Sequence, residues 1–403
     1  MNKHQALPKL MVAVLLILMA AAYFWHMQRT TAAATEPPSV QSTTPNQPPI
    51  TTTANESTAE ETPAQRTLLS IETITFPHVD DVPFDYFGVF RHTFRNLELP
   101  QGLLTFILTA DLVPAVELLK SEPASPDYHI AIETIALGCS AVKYENEYLA
   151  QETQLDENDL GALTVNEQNF FIQYHQRRID NTLKLYKSCL DLEMAVPLNL
   201  EQRRKQLSQL NDSAFASLVS QVQDIKKEQA TILIEKTYQE RPSHFIANLL
   251  LFAYLSSDDP MRISDAVTLL AQREDFDPTI YVAIADCLDE NCQEFAKVNP
   301  NKEYWLKQAA ITGSFEAIRK LSALYRAEND WRESFAWRRY QLALMQKGCY
   351  AAAEMYFYDY LKTKNFLNEV RSNLNNEAYL EALELANSLY LEHFEAARGW
   401  LEC

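Results

Sequence analysis

The chain has 403 residues, a formal net charge of −19 and only seven glycines. A body this acidic is repelled by nucleic acid and by anionic lipid headgroups, so its composition argues against a nucleic-acid-binding function. No glycine lies between Gly161 and Gly313, whereas nucleotide-binding α/β folds need glycines for their phosphate-binding turns. The sequence therefore argues against that fold class too.

The first predicted element is a membrane anchor. Leu10 to Trp25 are all apolar, and a helix over residues 10–27 would be about 27 Å long, close to the roughly 30 Å of hydrocarbon in a bilayer. Lys3 and Lys9 precede the run and Arg29 follows it nearly alone, so the positive-inside rule predicts a cytoplasmic tail at residues 1–9 and an exported body. Cleavage of a signal peptide near Ala20 and Ala22 is the alternative, and it also exports the body.

Residues 28–66 are predicted to be a disordered tether. Of these 39 residues, 19 are Thr, Ser or Pro, a composition that cannot bury enough apolar area to offset the entropy of ordering. A coil of this length spans about 35 Å, so we expect the body to stand clear of the membrane.

Residues 67–100 are predicted to form an irregular, aromatic-rich cap on a helical domain at 101–299. His78, Asp80 and Asp81 lie close together in this cap. Such a trio suits a metal or acid–base chemistry, but one His beside two acids is a common accident, and a solvated turn before Pro83 is the simpler interpretation.

The body is predicted to be all-α. Asp259 before Pro260 and Asp277 before Pro278 are typical helix N-caps followed by proline at the first helical position, and Asp330 to Glu333 resembles a capping box. Gly313 and Gly348 fall where helices end. Apolar residues at 246, 249, 250, 253 and 254 form one stripe, and further helices are predicted at about 127–150, 166–195, 201–238, 260–272, 302–312, 314–327, 331–347, 350–362 and 376–398.

A weak repeat appears in residues 300–403. The segment Trp305-x-x-x-Ala309-Ala310-x-x-Gly313 resembles the SEL-like branch of the tetratricopeptide-like helical repeats, and the segment from Gly313 aligns with that from Gly348 at a spacing of 35 residues. The second copy departs from the pattern, because it is three residues longer and has no Ala-Ala pair before Gly348. The resemblance implies stacked helix pairs in a solenoid-like body that binds other proteins. An irregular helical bundle is the alternative.

Few residues suggest a site. Tyr350, Tyr356 and Tyr360 belong to the densest aromatic patch and are the predicted partner-binding residues, although repeat core is the simpler role for them. Six cysteines in an exported chain allow disulfides, and Cys287 with Cys292 is the best local candidate. We find no catalytic motif, no cofactor-binding motif and no zinc-type cysteine spacing, so the sequence predicts no enzyme, cofactor or metal.

These features predict a single-pass, membrane-anchored scaffold that binds protein partners in a cell-envelope assembly, with its body in the periplasm or another extracytoplasmic space. A glycan-acting enzyme of the envelope with a superhelical body is the main alternative. A type II Golgi enzyme and a purely structural spacer are further alternatives.

Overall fold

The structure is a computed structural model of the chain. It describes residues 71, 73–82, 155–195, 227–240, 242, 244–255, 259–272, 277–290, 293–349 and 356–401, with Glu117, Gln202, Lys205 and scattered positions between 132 and 146. The predicted anchor at 10–27 and the tether at 28–66 lie outside these residues. Among the helices that are described, none combines the length and apolar character needed to cross a membrane.

The described residues contain helices and no strand, as the sequence predicts. A single turn of 3-10 helix at Val79–Asp81 precedes twelve α-helices: α1 Glu157–Gly161, α2 Val165–Ala195, α3 Lys227–Glu240, α4 His244–Leu255, α5 Pro260–Ala271, α6 Pro278–Glu290, α7 Gln293–Val298, α8 Lys302–Ile311, α9 Phe315–Ala327, α10 Trp331–Gln346, α11 Tyr356–Arg371 and α12 Asn376–Leu401.

The helix starts follow the predicted capping residues. The side chain of Asp259 accepts a hydrogen bond from the Met261 amide at 3.0 Å, and that of Asp330 accepts one from the Glu333 amide at 3.0 Å. The predicted capping box is only half formed, because the Asp330 amide donates to the carbonyl of Tyr325 at 2.8 Å. These bonds satisfy amides that a helix start leaves without an intrahelical acceptor.

The helix ends confirm the predicted role of two glycines. Gly313 and Gly348 have φ angles of +95° and +79°, and each follows a helix. The residue after each glycine donates back into the last turn, from Ser314 to Ala309 at 3.0 Å and from Cys349 to Leu344 at 3.1 Å. This arrangement is a Schellman motif, in which a left-handed residue closes the helix.

Helix contacts run mainly between neighbours in the chain. Helix α4 packs on α3, α5 and α6; α6 packs on α8; α8, α9 and α10 follow in turn; and α10 carries α11 and α12. Helix α12 also reaches back to α8, where the side chains of Ala397 and Leu401 lie against Gly313. The sequence predicts one buried stripe on α4, but the buried surface is wider. Every residue from Ile246 to Tyr254 is buried, because neighbouring helices pack on several sides of α4.

Helix α11 extends furthest beyond a predicted end. Its described bounds are Tyr356–Arg371, nine residues past the predicted end at 362, and residues 350–355 lie outside the described residues. Beyond the predicted end, Thr363 is buried and its hydroxyl donates to the Asp359 carbonyl at 2.7 Å. Leu367 and Val370 then extend the buried face, so packing sustains the helix through its polar stretch.

Candidate functional site: the groove that holds residues 71–82

Residues 71–82, which we call the strap, belong to the predicted cap at 67–100. They lie in a groove on the helical body, and Glu72 among them is not described. The backbone is extended at His78, with φ −62° and ψ 143°, and makes one helical turn at Val79–Asp81. The groove is formed by α2, α10, α11 and α12. The strap contacts this groove with one aromatic side chain, several aliphatic side chains and three backbone carbonyls of its own.

Phe76 is the aromatic contact. Its ring stacks on Phe170 with centroids 4.0 Å apart, and it meets the rings of Phe171 and Tyr360 at 5.4 and 5.3 Å. Paired rings at these separations stabilise beyond the apolar area they bury. Tyr356 lies behind this pocket, 5.3 Å from Phe171.

Two arginines hold the strap by its backbone. The guanidinium of Arg177 on α2 donates to the carbonyls of Val79 and Val82, the latter at 2.8 Å. Arg339 on α10 is buried and donates to the Ile71 carbonyl at 2.5 Å. Because backbone carbonyls are common to all residues, these bonds hold the start of the strap and its helical turn without reading the side chains.

The floor of the groove consists of small residues. Ile71 and Ile74 pack against Ala336, Ala343 and Ala386 of α10 and α12. At Gly348, a Cβ atom would stand 3.1 Å from a methyl of Val82 and 3.3 Å from Pro77. Glycine at this position therefore has two roles: it ends α10 with a positive φ, and it lets the strap approach closely because it has no Cβ.

A buried polar network supports the pocket. The Glu167 carboxylate accepts hydrogen bonds from the Tyr360 hydroxyl, the Lys364 ammonium and the Thr164 amide, each at 2.6 Å. Burial raises the pKa of Glu167, but these hydrogen bonds outweigh it and hold the pKa below its ordinary value. The Tyr360 hydroxyl also accepts a hydrogen bond from Gln346 at 3.3 Å, which places Tyr360 between α2 and α10.

Two of the three predicted partner-binding tyrosines, Tyr356 and Tyr360, are therefore parts of the core. Tyr356 and Tyr360 share one face of α11, as the sequence predicts, and both are fully buried. Tyr360 contacts the strap through the Phe76 ring, and Tyr356 lies behind the pocket that this ring fills. Tyr350 lies outside the described residues.

The other predicted residues fall into two groups. His78, Asp80 and Asp81 form the exposed 3-10 turn, where His78 caps the Asp80 amide at 3.4 Å. No cluster of three potential metal ligands occurs within the described part of the chain. Cys287 is disulfide-bonded, but Cys292, its predicted partner, lies outside the described residues.

A second cluster of ionisable residues joins α8, α9 and α10. Glu303 pairs with Lys307 at 2.7 Å and accepts a hydrogen bond from the Tyr325 hydroxyl. The bonds from Lys307 and Tyr325 lower the pKa of Glu303, whereas burial raises the pKa of Glu333. Two carboxyl groups with opposite pKa shifts are a pattern found in acid–base sites.

Sequence reasoning missed the residues that build the groove. The Thr164-x-x-Glu167 capping box was visible in the sequence and would have marked the start of α2. Arg177 and Arg339 carry no such signal, because a long cationic side chain on a helix is ordinarily exposed. Their role depends on a strap more than 90 residues away in the chain.

No protein-family model, curated protein or solved structure matches this chain. Conclusions about function therefore rest on the residues and contacts described above.

Proposed function

We propose that this chain is a membrane-anchored, extracytoplasmic helical scaffold that binds proteins in a cell-envelope assembly. The observation that carries the proposal is the groove, in which the body already binds a segment of its own chain that is extended at His78 and makes one turn at Val79–Asp81. Arg177 and Arg339 bind backbone carbonyls and the pocket around Phe170 takes one aromatic side chain. That combination suits an extended segment of a partner protein as well as the strap.

Three further features support this proposal. Contacts between alternate helices, such as α4 with α6 and α6 with α8, are those expected of stacked helix pairs in a solenoid-like body, which the resemblance to helical repeats implies. The Cys139–Cys189 disulfide fits an oxidising compartment outside the cytoplasm. The apolar run at 10–27 and the Thr- and Pro-rich tether fit a body held at a membrane surface.

Binding of a labelled peptide with the strap sequence, residues 71–82, tests whether the groove accepts a segment in trans. The wild-type full-length chain in detergent should bind it weakly, because its own strap fills the groove. The variant Phe76→Asp should bind it at least tenfold more tightly, because the charged side chain leaves the aromatic pocket. Equal, weak binding by both proteins would contradict a peptide-binding groove.

Pull-down of the tagged full-length chain from mildly solubilised membranes tests the partner itself. We expect a discrete set of proteins whose recovery changes in Phe76→Asp and is unchanged in Thr75→Asp, a matched control on an exposed strap residue. Recovery of no specific protein under several detergents and salt concentrations would count against the scaffold.

The Glu303–Glu333 cluster favours the second candidate, an envelope enzyme that acts on glycan. In this role Glu333, with its raised pKa, would be the proton donor. Purified full-length chain should then release soluble fragments from cell-wall glycan, and Glu333→Gln should abolish the release without changing the unfolding temperature. Equal release by the wild type and the variant would exclude this role for Glu333.

A further inference from the structure

Helix α2 has a second apolar face that nothing in the described structure covers. Its buried face, with Phe171, Tyr174 and Leu185, packs into the body. On nearly the opposite side, five large apolar side chains are between 41% and 76% exposed, and Ile179 between them is half-buried. We call this row the α2 stripe: Val165, Ile172, Ile179, Leu183, Leu190 and Met194.

The members of the α2 stripe lie on one side of the helix but fill only part of a heptad seam, because the exposed polar Asn169 and Gln176 stand at intervening positions. Successive members are separated by 7, 7, 4, 7 and 4 residues, so all of them fall on one narrow side of the helix. Scattered exposed apolar residues are normal on a protein surface, but six apolar residues on one side of a 31-residue helix, even with polar residues between them, mark a candidate interaction site.

The middle of the stripe is a palindrome. From Ile172 to Leu190 the separations are 7, 4 and 7, and they are symmetric about residue 181. If a second α2 lies antiparallel about a two-fold axis at this level, Ile172 faces Leu190 of the other copy and Ile179 faces Leu183. A two-fold contact requires such self-complementarity, whereas a foreign helix or another segment of this chain does not.

We propose that the α2 stripe is a homodimer interface in which two copies of this chain pair antiparallel through α2. Charges next to the stripe fit the same axis. Asp180, which also accepts a hydrogen bond from Gln176 of its own helix at 3.0 Å, lies about 3 Å along the axis from the level of Lys184 of the second copy. The exposed Asp180, Lys184, Lys187 and Asp191 on one flank of the stripe sum to zero, and the exposed Glu193 lies on the other flank, so the border of the stripe carries little net charge on a chain of net charge −19.

The size of the surface sets the strength of the dimer. A 31-residue helix is about 46 Å long and about 10 Å wide, which gives roughly 900 Å² of contact for the two copies together. Stable interfaces bury about 1,200–2,000 Å². The dimer is therefore weak and reversible, and salt strengthens it by screening the repulsion between two acidic bodies. This pairing depends only on α2 and stands whether or not the body is a scaffold.

Sedimentation of the full-length chain in detergent tests the dimer. The wild type should show a monomer–dimer equilibrium that shifts toward dimer as salt is raised. Leu183→Glu should weaken dimerisation at least tenfold with unchanged helical circular dichroism, because Leu183 is 52% exposed in the single chain. The matched control Leu380→Glu, on α12 and 49% exposed, should dimerise like the wild type.

Spin labels determine the orientation. At Gln173 and Lys184, the antiparallel pair predicts label separations along the axis of about 24 Å and about 9 Å between copies. Equal separations at the two sites mean parallel pairing and would overturn the proposal. So would a wild-type monomer at every concentration and salt. Loss of helical structure in Leu183→Glu would show that the chain's own residues, such as 196–226, cover the stripe, and would also overturn it.

Discussion

Glu167 shows how a single side chain ties the groove together. It begins α2 as part of a capping box, and it binds Tyr360 and Lys364 of α11. Only about a tenth of its side chain remains exposed. A buried carboxylate is costly unless its oxygens are satisfied, and three donors satisfy this one. The local sequence motif and the long-range network thus depend on the same residue.

We expect Glu167→Gln to destabilise the full-length chain by about 2 kcal/mol at neutral pH, because the amide cannot replace the charge-assisted bonds. The folded-state pKa of Glu167 lies below its ordinary value, so its contribution is present above the unfolded pKa of about 4.3 and is lost as pH falls through the folded pKa. Denaturant unfolding from pH 7 to pH 3 should show the two proteins converging in acid. Glu193→Gln, a substitution of an exposed residue on the same helix, is the control. A difference in unfolding free energy between the wild type and Glu167→Gln that stays constant at all pH values would contradict the argument.

Gly348 offers a second test at the residue scale. Its φ of +79° is unfavourable for residues with a Cβ, and the added methyl meets Val82 and Pro77. Gly348→Ala should lower the free energy of unfolding by about 2–3 kcal/mol, from backbone strain together with overpacking.

The control for that change lies in α12. At Gly399 a Cβ meets nothing within 4 Å, and the residue is helical. Gly399→Ala should therefore raise the free energy of unfolding by about 0.5–1 kcal/mol. Thermal and denaturant unfolding of both variants would check the difference in sign. Similar effects of the two substitutions would mean that the strap does not press on Gly348.

At the scale of elements, the sequence predicts helix starts better than helix ends. Starts at residues 260, 302, 331 and 376 agree with the structure because the N-cap side chain and the first turn are local. The predicted end of α11 at residue 362 was wrong because Thr363, Leu367 and Val370 are buried beyond it, which periodicity alone does not reveal. The strap was predicted as an irregular cap, yet its place in the groove depends on Arg177 and Arg339, which no local pattern marks.

The Cys139–Cys189 disulfide is an element-scale constraint. It joins residues 50 apart in sequence and fixes the chain near residue 139 against the buried face of α2. Closing a loop of that length stabilises by about 4 kcal/mol in the chain-entropy treatment. We expect Cys139→Ser with Cys189→Ser to lose most of that stability in denaturant unfolding, and peptide mapping of the unreduced wild type to recover the linked pair. Recovery of both cysteines as free thiols from the native source would contradict this pairing.

For the whole molecule, the all-α class follows from composition, because a chain poor in glycine and rich in Ala, Leu, Glu, Gln, Lys and Arg favours helices throughout. The order in which the helices pack does not follow from composition. The contact of α12 with α8, for example, brings Leu401 against Gly313 from the opposite end of the C-terminal region. The two surfaces on which our proposals rest, the groove and the α2 stripe, are likewise products of assembly. The sequence shows that the apolar residues of the stripe fall on one side of a helix, but only the structure shows that this side of α2 faces outward.

The predicted anchor and the Cys139–Cys189 disulfide together allow one test on the whole molecule. If residues 10–27 export the body, the chain made with this segment should remain in the membrane fraction after alkaline extraction and carry an oxidised Cys139–Cys189 pair. The same chain lacking residues 1–27 should stay in the reducing cytoplasm, with both thiols free and an unfolding temperature lower by several degrees. Mass spectrometry after thiol alkylation in intact cells measures the two states, and treatment of the purified truncated chain with oxidised glutathione should restore the wild-type unfolding temperature. An oxidised Cys139–Cys189 pair in both forms would show that the disulfide does not depend on export. Extraction of the full-length chain into the soluble fraction would show that residues 10–27 do not hold the body at the membrane.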